Sequence, residues 1–206
     1  IGEGPLAPVP AAVLSGPTDR VTRVRIVGGK FWGIGLTPAG WTRFIGTPAS
    51  EMANRFCAMG QTVADGSLHV MLDQLRRDGD DLAAAARLIN RTFRALLGEQ
   101  PEAEATVQAV HRGILALEST SVRAMSEQIG LNARTFERFC KRHFGFAPRT
   151  LLRRQRFLRS LGEYMLDPSM RWIGSLDMHY WDQAHFIRDF RATMNMTPSE
   201  FAALPH

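Results

Sequence analysis

Cysteine is scarce in this chain of 206 residues: only Cys57 and Cys140 are present. Two thiols cannot build a disulfide framework, so a reduced, cytoplasmic setting is expected. No run approaches the roughly 20 consecutive apolar residues that a membrane-spanning helix needs, which argues against a membrane partner. The chain opens at Ile1, with no charged segment followed by an apolar one, and is read as a fragment of a longer protein. Phosphate-cradling and nucleophile-elbow patterns are missing, as is the paired-histidine zinc motif. Gly33-x-Gly35 lacks the third glycine and the acid of a dinucleotide site. The six histidines are scattered, and His179, His185 and Cys140 do not give zinc spacing. Neither a cofactor, a metal nor an enzymatic activity is expected.

Lysine is also scarce, with Lys30 and Lys141 alone, so the formal net charge of +5 rests on arginine. Its distribution is uneven. From residue 134 to residue 159 there are nine basic residues against one acid, Glu137. Such a run can neutralise phosphates, each contact releasing condensed counterions. It can equally be a solvated arginine-rich surface.

Upstream, the prolines at 5, 8, 10 and 17 suggest an extended lead-in. Thr22–Val27 and Phe31–Leu36 flank Gly28-Gly29-Lys30 and read as a β-hairpin. Pro38–Phe44 reads as a short helix, and Ser50 is placed to cap another. A longer helix is expected over Leu82–Leu97, begun by Asp80 or Asp81 and closed by Gly98. Its apolar face would be Leu82, Ala85, Ile89, Phe93 and Leu96. Asp73, Asp78, Asp80 and Asp81 fit helix-end charges better than a calcium loop. Gln100-Pro101 then marks a boundary, with Glu102–Glu118 helical and Val107, Val110, Ile114 and Leu117 on its apolar face.

Beyond the boundary the chain repeats at an offset of 50 residues. Asn132 matches Asp182, Phe136 matches Phe186, Arg138 matches Arg188, Gly145 matches Asn195, Pro148 matches Pro198, and Leu151 matches Phe201. Asn132 and Asp182 suit helix N-caps. Gly145 and Asn195 suit the left-handed residue that ends a helix, and the prolines suit the first turn of the next one. A shorter helix precedes each cap: Val122–Ile129 turning at Gly130, and Arg171–Met178 turning at His179. A short helix, a tight turn and a capped second helix make a helix-turn-helix, here twice, with Thr150–Leu166 as the connecting helix.

These stretches, SVRAMSEQIGLNARTFERFCKRHFGFAP (121–148) and YWDQAHFIRDFRATMNMTP (180–198), resemble the DNA-binding domain of the AraC/XylS family of transcription regulators. The resemblance covers about residues 104–204. It implies a double helix-turn-helix domain over 102–206, preceded by a regulatory or sensor-like fragment over 1–99. The fold class expected is mainly α, the two units joined by a connecting helix and preceded by a small α+β segment with a hairpin. Double-stranded DNA is the implied partner, with RNA polymerase and a small-molecule effector beside it. The chain departs from the family at four places. His179 stands where the second turn has Gly, Ser126 and Ser175 where the short helices have Ala, and Cys140 where the first recognition helix has Phe.

In such units the N-terminal part of the second helix meets base edges in the major groove. The recognition helices are expected over about 133–143 and 183–193. Arg134, Thr135, Glu137 and Arg138 would face outward on the first. The resemblance gives Gln183, Ala184, His185 and Arg188 the same role on the second. Arg can bridge guanine, Glu can accept from cytosine, and Gln can pair with adenine. Arg149, Arg153 and Arg154 are better placed for phosphates. Each assignment has a rival: Arg138 and Arg188 beside Glu137 and Asp189 could be ion-paired, and the His185 ring could pack in the domain. Two readers about 34 Å apart would meet successive grooves, so a monomer could cover about 20 base pairs. A second reading makes the chain a ligand-sensing or interaction module with a weakened second unit, Trp32, Trp41 and Phe44 forming a ligand wall or interface instead of plain core.

Overall fold

The computed structural model describes residues 8–22, 24–25, 28, 31–59, 66–78, 81–116, 121–167, 180 and 182–204. Its architecture is mainly α, with one small antiparallel strand pair, as the sequence implies. The strands differ from those expected. β1 (Val13–Ser15) pairs with β2 (Phe56–Ala58), placing Leu14 opposite Cys57. Among the described residues of 22–36 there is no strand. Gly28 does take the positive φ of a turn, +60°, but Val24 and Phe31 are 68% and 70% exposed. Of the described residues there Trp32 reaches a core, while Phe31 and Gly33 beside it stay exposed, and an unsupported hairpin is marginal in water.

α1 (Pro38–Phe44) forms as expected, with Pro38 in its first turn and the Thr37 hydroxyl accepting from the Gly40 amide at 3.1 Å. Ser50 caps nothing: Ala49–Glu51 is a single 3₁₀ turn behind Pro48, and the chain reverses at Asn54, where φ is +57°. α2 (Gly66–Asp78) is a helix the sequence reading passed over, although Leu68, Met71 and Leu75 lie buried at helical spacing. Asp73 stands in the middle of that helix and not at its end.

α3 (Leu82–Ala95) starts at Asp81, whose carboxylate accepts from the Ala83 and Ala84 amides at 2.9 and 3.0 Å. Those bonds hold the Asp81 carboxyl below its ordinary range. Ala85 is buried and Ile89, Phe93 and Leu96 pack on the same core, but Leu82 is 72% exposed. It belongs to the first turn, before the helix reaches α2 or the strands.

α4 (Glu104–Leu115) buries Val107, Val110 and Ile114; Leu117 lies outside the described residues. α5 (Val122–Gln128) turns at Gly130 into α6 (Ala133–Phe144), followed by α7 (Pro148–Leu166). α8 (Gln183–Met194) and α9 (Pro198–Ala202) close the chain. The short helix expected over Arg171–Met178, with Ser175 and the turn at His179, falls outside the described residues.

Three apolar clusters result. One joins α2 and α3 to Leu14, Trp41 and Met52; a second joins α4, α5, α6 and the start of α7. The third gathers Phe157, Tyr180, Phe186 and Phe190, with Phe157 and Phe190 edge to face at 5.4 Å. Arg43 bridges the first two regions. Its guanidinium donates to the Glu104 carboxylate, through Nε at 2.8 Å and also through Nη2, while Nη1 donates to the Leu97 carbonyl at 2.8 Å. Glu104 is only 8% exposed, and its other oxygen accepts from Gln108 at 3.0 Å. A buried carboxylate needs such partners, and this one has them on α1 and α4.

Candidate nucleic-acid interface

The repeat in sequence is a repeat in geometry. Asn132 Oδ1 accepts from the Thr135 amide at 2.9 Å, and Asp182 Oδ1 from the His185 amide at 2.6 Å. Each bond satisfies one of the amides a helix start leaves open. Four residues past each cap, Phe136 and Phe186 are fully buried. Gly145 ends α6 at φ +85°, and Asn195 ends α8 at φ +55°. Pro148 and Pro198 then open α7 and α9; Thr197 and Glu200 at the latter form a reciprocal capping box.

On α6, burial of Phe136, Cys140 and Phe144 turns the opposite face outward. Arg134, Glu137 and Arg138 are exposed there, and Thr135 is half-buried. Glu137 does not pair with Arg138. It takes Lys141, one turn on, at 2.7 Å, and that bond holds its carboxyl below the usual range. Arg134 and Arg138 have no ion pair among the described residues. Cys140 is wholly buried, and burial pushes its thiol up to about 12, so it is an inert core group. Ser126 is buried with its hydroxyl donating to the Arg123 carbonyl at 2.8 Å.

On α8, Gln183, Ala184 and Arg188 are exposed. Asp189 is buried and turned away from Arg188, so the expected rival pairing there is not formed. His185 is half-buried, its ring edge to face with Tyr180 at 5.1 Å and its Nε2 3.7 Å from Asp189 Oδ2. Packing therefore accounts for His185 without a base contact.

The basic run of α6 and α7 also divides. Arg149 and Arg153 are exposed on α7. Arg154 is half-buried, and burial lowers its pKa against the opposing pull of the Asp19 carboxylate. Arg156 lies 5.6 Å from the centre of the Tyr180 ring, and Arg159 donates to the Ala116 carbonyl at 3.1 Å. Arg134, Arg138, Arg142, Arg149 and Arg153 remain outward and without an ion pair among the described residues. A count of charge in the sequence could not separate these from the arginines that hold the fold together.

His143, at the far end of α6, escaped the sequence reading, which counted its neighbour Arg142 only within the basic run. The Thr42 hydroxyl donates to the Pro38 carbonyl at 3.0 Å, so His143 Nδ1, 3.1 Å away, is the donor of their contact. Burial, and then the neighbouring Arg142, hold the His143 imidazole below its ordinary pKa. Arg142 and His143 line a cavity of about 290 Å³ together with Trp41, Thr42, Pro48 and Pro101. No local motif signals this, because the walls come from segments far apart in the chain.

Among the described residues, no helix is long and apolar enough to cross a membrane. No curated protein and no solved structure gives a significant match to the chain. A family model described as a helix-turn-helix domain matches residues 125–203, a match that supports an AraC-like helix-turn-helix domain over that part of the chain.

Proposed function

We propose that the chain is a sequence-specific transcriptional regulator of the cytoplasm that inserts α6 and α8 into successive major grooves of double-stranded DNA. Residues 102–206 do the reading in this proposal, and residues 1–99 regulate it. One observation carries the reading. Arg134 lies in the first turn of α6, where the helix dipole disfavours a cation, and that turn holds no acid. The helix dipole gives no reason for an exposed arginine there. A groove lined with guanine O6 and N7 does. Gln183, Ala184 and Arg188 are the corresponding contacts on α8, while Arg149 and Arg153 hold phosphates.

The test is a selection from random duplex DNA at about 150 mM salt, where phosphate contacts alone bind weakly. The expected product is a bipartite motif with centres about one helical turn apart. Arg134→Ala should relax preference at one base and cost about 1–3 kcal/mol, whereas Arg153→Ala should weaken all sequences alike. A flat dependence of log affinity on log salt, or no enrichment, would sink the proposal.

The cavity beside Trp41 favours a second reading, a ligand-sensing module. Phe44 stacks edge to face on Phe93 at 4.9 Å and Trp32 packs on the first core, so of the three aromatics only Trp41 lines the cavity. Melting that shifts with an added small molecule would favour it.

A further inference from the structure

The segment between β1 and residue 22 crosses the helix-turn-helix region without forming a helix or a strand of its own. It touches the C-terminal ends of both α6 and α8. Pro17 lies so close over Gly145, at the end of α6, that a Cβ there would collide with its ring. Four residues on, the Val21 amide donates to the Thr193 carbonyl at 2.7 Å, satisfying one of the acceptors the last turn of α8 leaves open. Between these points the Asp19 carboxylate acts on Arg154 of α7.

The segment is itself fixed. Asn54, in its left-handed conformation, donates its amide to the Pro17 carbonyl at 2.8 Å. Its side chain makes two further bonds: Oδ1 accepts from the Asp19 amide at 3.2 Å, and Nδ2 donates to Asp19 Oδ1 at 3.0 Å. Both anchor points sit at the ends of α6 and α8 remote from their first turns. A helix of 12 residues is about 18 Å long, which leaves the reading turns uncovered.

We propose that residues 17–21 form a strap that sets the separation of α6 and α8, and so determines which spacing of half-sites the protein accepts. The strap acts as a positioning element; it touches neither groove. This inference rests on the DNA-reading proposal for its consequence, but the geometry it asserts can be measured without DNA. Full-length protein with Cys57→Ser would carry spin labels at Lys141→Cys and Ala192→Cys, both exposed sites outside the reading set. Cys140, buried, stays unlabelled.

Pulsed dipolar spectroscopy should give one narrow distance in this parent. Val21→Pro removes the donor to Thr193, and the distance distribution should at least double in width. An unchanged width would overturn the strap. If Val21→Pro loses helical circular dichroism, Asn54→Ala decides instead, because it releases Asp19 while leaving every strap amide in place. On duplexes whose half-sites are moved apart by one or two base pairs, the parent should discriminate about tenfold, roughly one base-pair mismatch in worth. The strap variants should lose that discrimination while holding a single half-site unchanged. Failure of the parent to retain any duplex would remove the DNA-reading proposal, and the label distances would still judge the strap.

Discussion

α6 and α8 share caps, buried phenylalanines and left-handed ends, yet they are braced differently. α6 is held on several sides: α1 and the 3₁₀ turn pack against it, His143 bonds Thr42, and Pro17 and Ala49 press on its end. Among the described residues, α8 rests on α7 and α9 and receives from the upstream segment the amide of Val21. Their outer faces differ to match. α6 presents three exposed arginines, Arg134, Arg138 and Arg142, whereas α8 presents two, Arg188 and Arg191, and tucks His185 against Tyr180. Among the described residues, the first copy of the unit is the more heavily braced. What separates them is the N-terminal half, which has grown onto the first.

The strongest way to break this asymmetry is to cut the Arg43–Glu104 pair, through which α1 is tied to α4. Either Arg43→Ala or Glu104→Ala leaves a buried charge without its partner, at a cost of about 3–5 kcal/mol in chemical denaturation. Removing both should cost less than the two single losses combined, and additive losses would show that the pair is not coupled. A smaller effect compares the helix ends. Gly145→Ala meets both a left-handed backbone, worth roughly 1–2 kcal/mol, and the Pro17 ring. Asn195→Gly relieves a mild backbone strain while giving up what the Asn195 side chain contacts, and should cost less than Gly145→Ala. Equal losses at the two sites would contradict the unequal bracing.

Local chemistry made the C-terminal half legible. Asn132, Asp182, Gly145, Asn195 and the two prolines act within a turn of themselves, so their roles could be read from spacing. The N-terminal half turned on partners distant in sequence. Leu14 finds Cys57 across a 42-residue gap, and nothing near Val24 or Phe31 tells that their alternation meets solvent. α2 was within reach, since Leu68, Met71 and Leu75 recur at helical spacing; its aspartates drew attention to helix ends instead. At the candidate site, Arg134 and Arg138 were legible as outward positions. That Arg156 and Arg159 serve the fold, and that His185 is packed, depends on Tyr180 and Ala116, which no spacing connects to them.

The caps should behave alike where the bracing does not. Asn132→Ala and Asp182→Ala each lose one bond to an open amide, and about 1 kcal/mol is expected for each. A much larger loss at Asp182 would mean that α8 depends on its start because its end is weakly held.

The smallest effect distinguishes the two units by pH. His143, on α6, is held below its ordinary pKa in the folded protein, while the unfolded chain takes up its proton near pH 6.5. The unfolded state therefore binds more protons as pH falls through that value, so stability is full above it and declines below. The carboxylates of Asp81, Glu137 and Glu200 are also held low, but they withdraw stability only in the more acid range below about pH 4.5. Melting between pH 7.5 and 5.5 thus isolates the imidazoles, His143 and the similarly buried His111 on α4. Replacing His143 by Gln should flatten part of that slope, and His111→Gln the remainder. A slope that both replacements left intact would overturn its assignment to α6 and α4.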